Sequence, residues 1–178
     1  KIFRKNINVK IIAITGSCGK TTLKELLGKS LSKIFKVSIS PKSYNNKYGV
    51  PLSLFNLNQN DDYGILEVGM DKKGEIDYLS KIIQPDVSVI TNINYAHAKN
   101  FKSINHIALA KSEIINNTRT NGFVVLNADD HFFKFHRNLA LKKNLSVVSF
   151  GIKNRRADIK QISINKEGKK FKVFLTFN

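Results

Sequence analysis

Val9-Lys10-Ile11-Ile12-Ala13-Ile14-Thr15, then Gly16-Ser17-Cys18-Gly19-Lys20-Thr21-Thr22, then the run from Leu23 to Phe35, is the stretch whose reading decides the fold class. The first seven residues form an apolar, β-branched run of strand length, and the last thirteen place apolar residues at helical spacing. The glycine-rich turn between them lets backbone N–H groups converge on an anion. The helix N-terminus adds a favourable dipole, and Lys20 adds a point charge. The match covers the Gly-x-x-Gly-Lys-Thr half of the full phosphate-loop pattern, because Ile14 stands six positions before Lys20 where the full pattern has Gly. The competing reading is a tight strand-to-helix turn with a solvent-facing lysine. The candidate phosphate set is therefore Gly16, Ser17, Cys18, Gly19, Lys20, Thr21 and Thr22. The Thr21 hydroxyl occupies the position that in nucleotide triphosphatases turns to Mg²⁺.

Outward from this stretch the same alternation continues. Strands are predicted at Lys36–Ser40, Tyr63–Gly69, Asp86–Thr91, Gly122–Asn127 and Leu145–Phe150. Helices are predicted over VPLSLFNL, KGEIDYLSKII, Ser103–Asn117 and His131–Leu141. Strands alternating with helices imply an α/β fold with a mostly parallel sheet and flanking helices. After Gly151 the period becomes two, and ADIKQISIN and KFKVFLTF flank the turn residues 166–169. This predicts a C-terminal antiparallel β-hairpin. The organisation read from the sequence is a linker at 1–8 and one domain at 9–178. Because the chain starts at Lys1 and stops inside a strand pattern, further domains are expected on both sides.

The 30 Lys and Arg against 13 Asp and Glu leave a formal charge of +17 over 178 residues. That excess raises nucleic-acid binding as a function class. Only Arg4, Arg119, Arg137, Arg155 and Arg156 are arginines, whereas planar phosphate recognition favours arginine. The basic residues are scattered, and in the dense tail from Lys142 to Lys172 the lysines mostly alternate with apolar residues, as on a solvated strand face. The twelve Phe fall mostly in core-like or alternating strand positions rather than in a stacking platform. No nucleic-acid partner is expected. The single Cys18 excludes an internal disulfide and fits a reducing compartment. No apolar run approaches the roughly 18 residues of a membrane span.

Glu67 ends an otherwise apolar strand at its carboxyl end, where open α/β sheets place ligand-handling groups, and a carboxylate there suits Mg²⁺ or pairs with a lysine. His97 follows the strand DVSVIT at the same edge. By position alone it reads more often as a structural histidine than as a ligand, and His106, His131 and His136 read as surface or satisfied core residues. Lys111, in IALAKSEII, reads by itself as a solvated helix lysine. Asp129 and Asp130 fit caps of the helix that follows them.

Taken together, TGSCGKTT, NNKYGVPLSL, ILEVGM, PDVSVITNINYAH, ALAKSEI and VLNADD, in this order and spacing from about Val9 to Phe150, resemble the central ATP-binding domain of the Mur ligases. Within that family they are most similar to the type that joins D-Ala-D-Ala to UDP-N-acetylmuramoyl-tripeptide. The resemblance implies an ATP-dependent amide ligase of peptidoglycan precursor synthesis, cytoplasmic and monomeric, that works through an acyl phosphate. It implies that Gly16, Gly19, Lys20 and Thr21 cradle ATP, and that Thr21 and Glu67 share one Mg²⁺. A second Mg²⁺ would lie with His97 and a carbamylated Lys111, so that Lys20, Lys111 and His97 form the catalytic set. It also implies that Asn127 lies by the adenine, that Asn92 shapes the metal loop, and that Asn45 and Asn46 approach the nucleotide-linked peptide. The sequence lacks the asparagine-bearing helix that completes the family's adenine site, so this stretch alone is expected to bind Mg-ATP poorly and to ligate nothing. Other Mur-type or folylpolyglutamate-synthase-like ligases, and a basic phosphate-loop nucleic-acid ATPase, are the alternatives.

Overall fold

Buried β-branched runs that alternate with amphipathic helices have one economical packing, a parallel sheet flanked by the helices. In the computed structural model, which describes residues 2–95, 100–168 and 170–177, the elements are α1 (Ile2–Lys5), β1 (Lys10–Thr15), α2 (Lys20–Leu31), β2 (Val37–Ile39), α3 (Gly49–Phe55), β3 (Tyr63–Glu67), α4 (Glu75–Ile83) and β4 (Val87–Ile90). They continue with α5 (Ile104–Asn116), β5 (Phe123–Asn127), α6 (Phe133–Lys142), β6 (Ser146–Gly151), β7 (Ile159–Glu167) and β8 (Lys170–Phe177). The strands form one sheet in the order β2-β3-β1-β4-β5-β6-β7-β8. All neighbours are parallel except β7 and β8. This is the α/β fold with a C-terminal hairpin that the sequence predicts.

Alternation along β1 divides the core. Ile11 and Ala13 face a large cluster completed by Leu54, Leu79, Ile107 and Ala140. Ile12 and Ile14 face a small cluster with Ile65 and Val89, against which Leu23, Leu27 and Leu31 of α2 pack. On this second side Gly28 brings α2 so close to the edge strand that an added Cβ would lie 2.7 Å from Ile39 Cγ2. β3 and β4 flank β1 on opposite sides, so the chain's direction of travel across the sheet switches at β1. Ligands of open α/β sheets bind outside the carboxyl ends of the strands at such a point.

The stretch 2–8 is built into the fold. Arg4 is 2% exposed. Its Nε donates to Ile83 O at 2.8 Å and its Nη2 to Asp86 Oδ2 at 2.7 Å, and the same carboxylate oxygen accepts the Ile11 N–H at 2.8 Å. Burial pulls the guanidinium pKa down, against the attraction of Asp86. Breaking a buried pair strands a charge, at a cost of about 3–5 kcal/mol. Arg4→Met should therefore lower the thermal midpoint by roughly 6–20 °C, taking about 2–4 °C per kcal/mol for a domain of this size. A loss below 2 °C in a calorimetric scan would show that α1 does not brace the sheet.

The hairpin differs from expectation in three ways. Residues 166 and 167 belong to β7 rather than to the turn, with Lys166 opposite Phe171 and Glu167 opposite Lys170. Gly168, at φ +62°, begins a tighter turn. β7 pairs with β6 only through Phe150–Ile159 and Gly151–Lys160, so the hairpin runs on past the end of β6. Its apolar residues, Ile162, Ile164, Val173, Phe174, Leu175 and Phe177, are consequently exposed rather than core-like. The carboxylates at the end of β5 also depart from expectation. Asp129 accepts the N–H groups of Ile152, Lys153 and Asn154 and so fixes the β6–β7 loop. Asp130 spans the Phe132 and Ile93 N–H groups. The helix-cap reading therefore fails for Asp129, and Asp130 holds the start of α6 to the loop after β4.

Candidate active site

The glycine-rich turn leaves β1 at the switch point and enters α2. Gly16 has φ +144° and Gly19 φ +81°, a conformation that favours glycine at both positions. A Cβ on Gly16 would sit 1.9 Å from Thr91 Oγ1. That close approach lets the loop after β4 brace the turn. The Ser17 N–H donates to Asn92 O, and the Cys18 N–H donates to Asn92 Oδ1 at 3.0 Å. Thr91 Oγ1 donates to Cys18 O at 2.7 Å, and Ser17 Oγ is held between Asn94 O and the Asn94 N–H. The Lys20 ammonium lies over the loop, 2.9 Å from Gly16 O. Thr22 is exposed on the first turn of α2.

Glu67, 2% exposed at the end of β3, is the hub of the site. Its Oε2 accepts the Thr21 hydroxyl at 2.7 Å and its Oε1 accepts the Asn45 amide at 2.8 Å. The Asn45 carbonyl in turn accepts the Gly69 N–H at 2.7 Å. Asn46 turns away from this hub, and its Oδ1 accepts the Tyr48 and Gly49 N–H groups and starts α3.

Lys111 is not the solvated lysine that its sequence position suggests. It is 2% exposed, and its Nζ donates to Gly16 O at 3.0 Å. Burial first, then the charge of Lys20, pulls its pKa down to about 7. Two residues along α5, Glu113 accepts the Gly74 and Asp77 N–H groups at the start of α4, and burial raises its pKa. α5 therefore ties the phosphate loop to the far wall of a cleft of about 750 Å³, which runs from Lys20 and Lys111 past Asn45 and Tyr48 to Lys73 and Tyr78.

Asn127 lies further along the same edge, its amide donating to Thr91 O at 3.3 Å and its Oδ1 accepting the Asp129 N–H. His97 lies outside the described residues. His136 is a satisfied core histidine, its Nε2 3.2 Å from Ala108 O. Among the described residues, no three His, Cys, Asp or Glu side chains cluster as a metal cage. No helix there is long and apolar enough to cross a membrane. Lys24, Ser40 and Glu113, which shape the cleft from behind, carry no signal in the sequence.

A phosphate-type loop at the switch point of a parallel sheet, with a strand-end carboxylate and a buried lysine beside it, defines a phosphate-loop α/β domain of the nucleotide-handling class. Residues 14–178 match the Mur ligase middle domain, and the chain belongs to that family. It is 41% identical over 154 residues to UDP-N-acetylmuramoyl-tripeptide–D-alanyl-D-alanine ligase of Buchnera aphidicola subsp. Acyrthosiphon pisum, covering 86% of this chain and 33% of that protein. The crystal structure of MurF from Acinetobacter baumannii superposes with a TM-score of 0.90 at 35% identity, covering 98% of this chain and 38% of the other. MurF ligase from Thermotoga maritima, solved in complex with ADP, gives 0.86 at 28% identity, covering 98% and 40%. The chain thus spans about a third of the length of the curated relatives it matches.

Proposed function

We propose that residues 9–178 are the ATP-binding domain of an ATP-dependent amide ligase that adds D-Ala-D-Ala to UDP-N-acetylmuramoyl-tripeptide in peptidoglycan precursor synthesis. The observation that carries the reading is the meeting of Lys20, Thr21, Glu67 and Lys111 around the Gly16 carbonyl and one carboxylate, in a chain whose relatives bear that ligase name. In this reading ATP phosphorylates the terminal carboxylate of the peptide. That step leaves ADP; the amine of D-Ala-D-Ala then attacks the acyl carbon, loses a proton to solvent, and the tetrahedral intermediate collapses to the amide with expulsion of phosphate.

The chain's own residues bind and position. Gly16 through Thr22 cradle the phosphates, and the Lys20 charge lies where negative charge builds on the transferred group. Asn127 borders the adenine, and Asn45 and Asn46 border the peptide end of the cleft. The donor set fits Mg²⁺ in chemistry, since the Glu67 carboxylate and the Thr21 hydroxyl offer hard oxygens from adjoining elements. His97 and Lys111 would hold a second ion. Bound Mg²⁺ supplies charge neutralisation on the phosphoryl group.

Lys111 fits only after modification, because an ammonium has no lone pair to offer. A buried amine with a pKa of about 7 is substantially neutral near pH 7. Its nitrogen lone pair adds to the carbon of CO₂, one C–O π pair moves to oxygen, and the N–H proton leaves to solvent. The carbamate that results presents anionic oxygens.

The test is phosphate release from ATP by the complete protein with UDP-N-acetylmuramoyl-tripeptide, comparing D-Ala-D-Ala with single amino acids and with single-stranded DNA. Release that requires both the tripeptide and D-Ala-D-Ala is expected. Release with another amine reassigns the substrate, and stimulation by DNA alone would overturn the ligase reading.

A further inference from the structure

Lys24 is 0% exposed on α2, one turn beyond Lys20 and Thr21. A lysine is almost never fully buried unless its charge is used. Here the ammonium donates to two backbone carbonyls and pairs with one carboxylate. Nζ lies 2.6 Å from Ser40 O, 2.5 Å from Lys42 O and 3.3 Å from Glu25 Oε1. The two carbonyls belong to the segment between β2 and α3, where the chain leaves regular structure and Lys42 takes φ +43°, uncommon for a residue with a side chain. An apolar side chain would cover α2 without the cost of burying a charge. The ammonium instead acts as a fixed cation around which irregular backbone is wrapped.

What this backbone supports is the site. The Ser40 hydroxyl accepts the Glu67 N–H at 3.2 Å. A few residues on, Asn45 reaches Glu67 with its amide and Gly69 with its carbonyl. We infer that Lys24 is a positioning residue for the ligase reaction: it clamps segment 40–46 to the phosphate-loop helix, so that the nucleotide end and the peptide end of the cleft share one rigid element. The inference rests on the ligase reading for its kinetic consequence and on geometry alone for its structural one.

Lys24→Met in the complete protein tests both. Expected are at least a tenfold rise in KM for the nucleotide-linked tripeptide, or an equal fall in kcat, with the Kd for ATP within about twofold of the parent. Hydrogen–deuterium exchange should quicken at least tenfold in peptides carrying the Tyr44, Asn45 and Gly69 amides and stay unchanged across 14–24. Loss of nucleotide and peptide affinity in parallel would overturn the inference. So would a lower thermal midpoint with unchanged KM, kcat and loop exchange. If the parent shows no tripeptide-dependent phosphate release, the ligase reading fails and the exchange comparison decides the clamp by itself. Should the Met variant not fold, Lys24→Gln, which keeps two donors without charge, carries the same comparison.

Discussion

Lys111→Ala abolishes ligation, lowering the rate at least a hundredfold, about 2.7 kcal/mol in the barrier, while circular dichroism stays that of the parent. The side chain is buried against Gly16 O, beside Lys20 and close to the phosphate loop, so its loss removes the group that the proposed reaction converts to a carbamate. Activity above a tenth of the parent would remove Lys111 from the catalytic set. The sign of the stability effect separates this role from a packing role. A lysine pKa of about 7 in the fold against an ordinary 10.5 means that the unfolded chain binds the extra proton first as pH falls. The penalty therefore grows from about pH 10 down to about 7 and is constant below, reaching the order of a few kcal/mol. Lys111→Met keeps the apolar stem and removes the charge. In CO₂-free, metal-free buffer it should melt above the parent at pH 7, with the gain shrinking towards pH 10. No gain at pH 7 would show that the ammonium is not penalised by its burial.

Gly16→Ala loses nucleotide affinity by at least a hundredfold, about 2.7 kcal/mol. Its Cβ would fall 1.9 Å from Thr91 Oγ1 and 3.1 Å from Thr91 N, so backbone as well as side chain must move. Thr91 holds Cys18 O, and displacing it unfastens the turn that presents N–H groups to phosphate. Gly19→Ala is the control, because a Cβ there meets nothing within 4 Å and only the positive φ opposes it. It should cost about 1–2 kcal/mol, roughly five- to thirtyfold. Equal effects of the two substitutions in an ATP titration would show that conformation alone, and not the packing on Thr91, shapes the loop.

The phosphate loop was legible because its chemistry is local. Two glycines, a lysine and a threonine between an apolar run and a helical pattern have few other uses. Glu67 was legible because a carboxylate closing a buried strand has to be facing something. Lys111 and Lys24 look alike in sequence, both ordinary helix lysines, and both are buried by elements distant in the chain. The first was reached only through the family resemblance, and the second was not reached. Burial of a side chain by tertiary packing leaves no mark on local periodicity. Asp129 was misread for the same reason, since the N–H groups that donate to it lie more than twenty residues away in the β6–β7 loop. The hairpin's apolar residues imitate a half-buried strand, yet β7 leaves the sheet after two paired residues.

The placement of β1 also governs the order in which the domain can assemble. Within this domain the strand that carries the phosphate loop is synthesised well before the strands that flank it: Ile11 lies beside Gly64, and Ile12 beside Val87. Helix α2 can form on its own schedule, whereas β1 keeps two open edges until β3 and then β4 leave the ribosome. Parallel pairings of such long sequence separation close slowly, because loop entropy is lost before any contact repays it. A nascent chain arrested before residue 87 therefore exposes an apolar strand with one edge unpaired, a template for adding another chain. Centrality of the nucleotide strand thus makes early folding of this domain dependent on the steady arrival of its middle third.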